Sequence, residues 1–185
     1  MIAVAVVLGV VVLAAVWAWL AYNRFVRQRQ LVDNSWSNVD TELKRRHDLI
    51  PNIVSTVRGY AAHEASTLEA VIQARSSAVA ATGPTDQAKS ENVLADALRQ
   101  LLALREAYPE LKANTGFLDL QRELVNTEDR IQAARRLYNS NVRDFDTRVE
   151  SFPTMLIARL GGFTRVDYFE LEPAIRDAGA PEVKL

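Results

Sequence analysis

The stretch Ile2–Tyr22, IAVAVVLGVVVLAAVWAWLAY, decides how the rest of the chain is read, because it holds no charged residue. At about 1.5 Å of rise per residue its roughly 21 positions span about 30 Å as a helix, the thickness of a bilayer's hydrocarbon core. A buried core helix needs an apolar run of only about 10 to 14 residues, so this run reads as a transmembrane helix. A cleaved signal peptide would start with Lys or Arg and carry an apolar centre of about 7 to 15 residues, which this sequence does not match. Trp17, Trp19 and Tyr22 crowd the end of the run, where amphipathic rings favour the headgroup level, and Arg24, Arg27 and Arg29 follow at once. Trp17, Trp19, Tyr22, Arg24 and Arg27 are therefore the expected membrane-interface anchors. Lys44, Arg45 and Arg46 add positive charge, while the other flank offers only the chain's amino group. That bias predicts an N-out, C-in single-pass protein of the bacterial inner membrane, with its soluble part in the cytoplasm.

Beyond the apolar run the pattern becomes periodic. Val32, Trp36, Val39 and Leu43 advance by 4, 3 and 4 residues, one stripe on a helix face. No Pro or Gly lies between Gly9 and Pro51, so the first helix is expected to run on to about Arg46. A turn is expected near His47, with Asp48 as N-cap and Pro51 in the first turn of the next helix, where its missing N–H costs nothing. That second helix would cover about Leu49 to Ala81, with Ile50, Ile53, Val54, Val57, Tyr60, Ala61, Leu68, Val71 and Ile72 inward. Thr82-Gly83-Pro84 supplies a stop, and a third helix follows from about Asp86 to Ala107 with Leu94, Leu98, Leu101, Leu102 and Leu104. Asn114 or Thr115 would cap a fourth, carrying Phe117, Leu120, Leu124, Ile131, Tyr138, Val142, Phe145, Val149 and Phe152 up to Pro153.

The expected fold is therefore all-α: a single N-terminal transmembrane helix (residues 1–22), then an antiparallel four-helix bundle of long helices (23–153) and a C-terminal tail (154–185). In the tail Met155, Leu156, Ile157 and Leu160 either cap the end of the bundle or meet lipid or a partner. With 185 residues, 49% of them apolar, and only 7 Gly and 6 Pro, the chain has material for one core and few helix breaks.

The inventory for chemistry is thin. A net charge of -1 lacks the basic footprint of a nucleic-acid binder, so no nucleic-acid partner is expected. Without cysteine there is no disulfide framework, thiolate nucleophile or Cys-ligated metal. His47 and His63 stand outside any HExxH or ExxH arrangement, and the glycines form no phosphate-cradling loop or nucleophile elbow. No catalytic, cofactor-binding or metal-binding residue is assigned, and no enzyme activity is expected. One feature resists a bland reading. Leu124, Glu128, Ile131, Arg135, Tyr138 and Val142 advance by 4, 3, 4, 3 and 4, which puts Glu128 and Arg135 on the core seam. A buried charge needs a partner, so the two are expected to meet through a third group such as Arg75 or Asp129. The seam would fix helix register or, alternatively, form a switch or docking site.

Several ordered strings resemble the LemA family of bacterial membrane proteins. They are Tyr22-Asn23 with Val26-Arg27 and Arg29; Trp36–Asp40 (WSNVD); Leu43–Asn52 (LKRRHDLIPN); Val57–Glu64 (VRGYAAHE); Glu106–Asn114 (EAYPELKAN); Phe117-Leu118 with Leu120-Gln121; Thr127–Arg130 (TEDR); Ala133–Arg136 (AARR); and Tyr138-Asn139. Together they cover nearly the whole chain. Thr115-Gly116 departs from the family pattern, where Glu or Asn is more usual, and weakens the first turn of the fourth helix. The resemblance implies the same fold, an anchored four-helix bundle, and supplies no catalytic residue to carry over.

Two functions compete. One is a membrane-anchored scaffold or self-assembling interaction module, its partners being membrane lipid, further copies of itself and other membrane proteins. The other is a sensor or receptor that transmits helix rearrangement across the membrane to a partner.

Overall fold

Helix α1 (Ile2–Tyr60) is 59 residues long. It is followed by α2 (Ala65–Ala80), α3 (Gly83–Ala103), a 3-10 turn at Leu104–Glu106, α4 (Pro109–Ala113), α5 (Thr115–Glu150) and α6 (Thr154–Gly161). The computed structural model describes residues 1–171, and among them there is no strand. The part of the expected tail beyond residue 171 lies outside the described residues.

Over the first 20 residues of α1 every large apolar side chain, from Ile2 to Leu20, is exposed. A helix that is apolar all round and keeps these side chains exposed among the described residues suits hydrocarbon rather than water. It is the one helix among the described residues long and apolar enough to cross a membrane.

The expected turn near His47 is absent, because α1 continues through Pro51 to Tyr60. A proline inside a helix removes the amide that would bond the carbonyl four residues back, here that of His47. Arg75 on α2 supplies the replacement: its Nε–H donates to the His47 carbonyl at 2.7 Å. The expected second helix is therefore two pieces, the end of α1 and α2. Between them the Ala61 amide donates to the Val57 carbonyl at 2.8 Å and the Glu64 amide to the Ala61 carbonyl at 3.1 Å. Gly83 does take a positive φ, of 79°, at the second break. Of the two expected caps for α5, Asn114 serves, its Oδ1 accepting from the Phe117 amide at 2.8 Å.

By its contacts the chain forms two compact units. The first comprises Met1–Ser37 and Arg136–Asp167. Phe25, Val32, Tyr138, Val142, Phe145 and Ala158 are buried there. The Phe163 ring stacks on Phe25 at 5.0 Å, and Phe145 meets Phe25 edge-on at 6.1 Å. Trp36 lies 5.2 Å from Tyr138, whose hydroxyl donates to the Asp167 carbonyl at 2.8 Å. Burial, and then the charge of Asp167, push the Tyr138 hydroxyl up to about 12. α6 ends at Gly162, which has a φ of 71°, and the Phe163 amide then donates to the Ala158 carbonyl at 2.9 Å. Phe152, expected in the core, is 78% exposed. It stands past the end of α5, where the helical period that placed it inward no longer applies.

The second unit comprises Asn38–Arg135 and the chain from Tyr168. Its apolar core draws Ile50, Ile53, Val54 and Val57 from α1, Leu68, Val71, Ala74 and Ala78 from α2, Leu94, Leu98 and Leu101 from α3, Leu111 from α4, and Phe117 and Leu124 from α5. Ile72 and Tyr60, expected inward, are exposed. In α2 the buried register runs Leu68, Val71, Ala74, Ala78, so the neighbour of Val71 turns outward.

Candidate functional site

Besides Thr127, whose hydroxyl donates to the Glu123 carbonyl of its own helix, five polar side chains lie buried within the second unit: Arg46 and His47 from α1, Gln87 and Glu91 from α3, and Glu128 from α5. Each sits where helical spacing would otherwise place an apolar residue. In α1 the buried row is Val39, Leu43, Arg46, Ile50, Ile53, Val57; in α3 it is Gln87, Glu91, Leu94, Leu98, Leu101.

The Arg46 guanidinium is the hub. Its Nη1 donates to Glu128 Oε2 at 2.8 Å, and its Nη2 donates to Glu91 Oε2. His47 Nε2 lies 2.8 Å from Glu91 Oε1. An ionised carboxylate only accepts, so this nitrogen carries the proton and donates. Gln87 Nε2 donates both to Glu91 Oε1, at 2.9 Å, and to the Ala78 carbonyl of α2, at 3.0 Å. Gln132 Nε2 donates to Glu128 Oε1 at 2.8 Å. All four carboxylate oxygens are thus engaged by donors from this chain. Burial pushes the Glu91 carboxyl up, but the His47 hydrogen bond and the charges of Arg46 and His47 outweigh it, holding Glu91 below the ordinary carboxylate value of 4.5.

Such a cluster ties α1, α2, α3 and α5 of this unit together at one level. Taking one member away leaves a buried charge unpaired, at a cost of about 3–5 kcal/mol, whereas replacing the whole set with apolar side chains is often neutral. Its chemical capacity is to fix which residues face each other. Among the described residues no group of three or more His, Asp and Glu side chains is arranged to hold a metal ion.

Glu128 is in the buried seam, with a partner the sequence reading did not name: Arg46, 82 positions away. Arg135 is half-buried and donates instead to the Leu171 carbonyl, so the two seam residues go to different partners. Arg75, one of the two groups expected to bridge them, is engaged by the His47 carbonyl. Arg46, His47, Gln87 and Glu91 were missed, although the 4,3 spacing that picked out Glu128 also holds for Arg46 and Glu91. For Arg46 the expected helix end, at about Arg46, hides the row that continues through Ile50 and Ile53 in α1. Burial also removes Arg46 from the positive charge counted towards topology, while Lys44 pairs with Asp40 at 2.7 Å. Trp17, Trp19, Tyr22, Arg24 and Arg27, the expected anchors, are all exposed on α1, with the Tyr22 ring 5.6 Å from Phe163.

Residues 35–185 match the model of the LemA family. The chain is 26% identical over 181 residues to the magnetosome protein MamQ of Magnetospirillum gryphiswaldense, covering 84% of this chain and 66% of that protein. MamQ 2 of Paramagnetospirillum magneticum is 27% identical with the same coverage. Protein LemA of Metamycoplasma hominis is 30% identical over 142 residues, covering 74% of this chain and 63% of its own length. The chain therefore spans just under two thirds of these relatives. With the matching strings spread from Trp36 to Asn139 and the family model extending over 35–185, the chain belongs to the LemA family.

Proposed function

We propose that the chain is a membrane-anchored, non-enzymatic interaction module. On this reading α1 crosses the bacterial inner membrane through residues 2–22, and the remaining long helices form an antiparallel four-helix bundle on the cytoplasmic side that self-associates as a scaffold. One observation carries the reading: within a single unbroken helix, apolar side chains exposed up to Leu20 give way to a buried row that begins at Phe25 and includes Val32, Val39 and Leu43. Anchor and body are then one element, and anchoring raises the effective concentration of neighbouring copies. Engagement of every carboxylate oxygen of Glu91 and Glu128 by internal donors supports an architectural role for the polar cluster. The cationic residues Arg24 and Arg27 beyond the apolar stretch support the cytoplasmic orientation.

Light scattering of the full chain in detergent should show a mass above the monomer that rises with concentration; a strict monomer throughout would sink the scaffold. Protease added to inside-out vesicles should digest the helical body, and digestion in intact spheroplasts instead would reverse the orientation. The alternative, a sensor that passes helix rearrangement across the membrane, is favoured by the continuity of α1 from its apolar stretch to the buried Arg46 and His47. A Gly-Gly insertion after Arg27 should abolish such signalling and leave a scaffold largely intact.

A further inference from the structure

Where α1 leaves its apolar stretch, a cleft of about 220 Å3 opens within the first unit. Trp17, Leu20 and Phe25 of α1 form its apolar side, and Arg24 of α1 and Arg148 near the end of α5 its cationic side. The Thr154 hydroxyl donates to the Arg148 carbonyl at 2.8 Å and so fixes the end of α5 at the cleft. Neither guanidinium forms an ion pair among the described residues. Arg148 is half-buried, and its burial, followed by the charge of Arg24, pushes it below the ordinary arginine value. Only Asp144, one turn back on α5, acts in the opposite sense. Two like charges are therefore held together at a partly desolvated place, an arrangement that an anion relieves.

We propose that this cleft binds the phosphate of an anionic phospholipid, Arg24 and Arg148 clamping the phosphate oxygens while Trp17 and Leu20 lie along the adjoining acyl chain. The inference rests on the membrane-anchor reading, which places Trp17 at headgroup depth. A lipid phosphate fits better than a free one, because only a lipid uses the apolar wall beside the two arginines. A zwitterionic lipid brings its own cation and gains less from the pair.

The test uses the full chain reconstituted with phosphatidylglycerol and phosphatidylcholine, the retained lipid being read by native mass spectrometry. The intact protein should hold phosphatidylglycerol about tenfold more tightly than phosphatidylcholine, and Arg148→Gln or Arg24→Gln should each remove most of that preference. Arg24 is exposed, so its variant folds whatever happens to the half-buried Arg148, and circular dichroism checks both. Arg27→Gln, outside the cleft, should change retention by less than about twofold. Equal retention of the two lipids overturns the proposal, as does a loss with Arg27→Gln equal to that with Arg148→Gln, which would mean diffuse surface charge. Displacement of phosphatidylglycerol by inorganic phosphate would overturn the lipid assignment in favour of a free anion. Alkaline carbonate separates the two failures: release from membranes defeats the anchor reading itself, while a protein that stays put without lipid preference defeats the cleft alone.

Discussion

Pro51 deprives the His47 carbonyl of its backbone partner, and Arg75 restores one at 2.7 Å. Arg75→Leu should therefore lower stability by about 1–3 kcal/mol, the cost of a buried acceptor left unpaired. In a Pro51→Ala background the amide of residue 51 can reach that carbonyl, so the same substitution should cost less. Urea unfolding of the double-mutant cycle measures this, and equal costs in both backgrounds would separate Arg75 from the proline. Glu91 makes a second prediction. Its folded value is depressed, so its contribution to stability is complete above the ordinary value of 4.5 and is lost as the pH falls through the lower folded value. Thermal unfolding from about pH 6 to pH 3 should show a steep acid loss that is shallower in Glu91→Gln, a variant already weaker by about 3–5 kcal/mol at neutral pH. Glu128 was legible as a seam residue from its spacing alone, whereas its partner was not, because Arg46 stands on another helix.

Helix α5 was nearly readable in full: a cap at Asn114, a 3 and 4 rhythm, and an end just before Pro153 are all local signals. Helix α1 was not, because Asp48 and Pro51 make the same local pattern as a helix start, and only a donor from α2 turns it into a helix interior. The elements around α6 depend on close approach. A Cβ added to Gly161 would lie 2.7 Å from the Phe163 ring and 3.2 Å from Tyr22. Gly161→Ala should displace Phe163 from Phe25 and cost about 1–3 kcal/mol. Loss of near-ultraviolet circular dichroism together with a lower unfolding midpoint would register it, and Phe163→Ala should make the glycine substitution nearly silent. If Gly161→Ala costs the same with and without Phe163, the ring contact is not what constrains that position.

For the molecule as a whole, hydrophobicity is divided between an apolar stretch whose large side chains are exposed among the described residues and one-sided helices that cover one another. A charge in the middle of the apolar stretch should then act on membrane insertion alone. Val11→Asp should cost about 2.5–3.5 kcal/mol of insertion, measured as the carbonate-resistant fraction, while the helical content in detergent stays unchanged. A fall in helical content beyond the local site would mean the stretch is packed against the body. The order of residues was sufficient for the apolar helix, the all-helical class and most of the inward faces, Tyr60, Ile72 and Phe152 excepted, since composition and periodicity act over one or two turns of a single chain segment. It was insufficient for the Arg46, Glu91 and Glu128 cluster, the Arg75 bond to His47 and the meeting of Arg24 and Arg148 at one cleft. Those join residues distant in the chain, and a charge in a core row acquires its meaning from whichever helix happens to lie across from it.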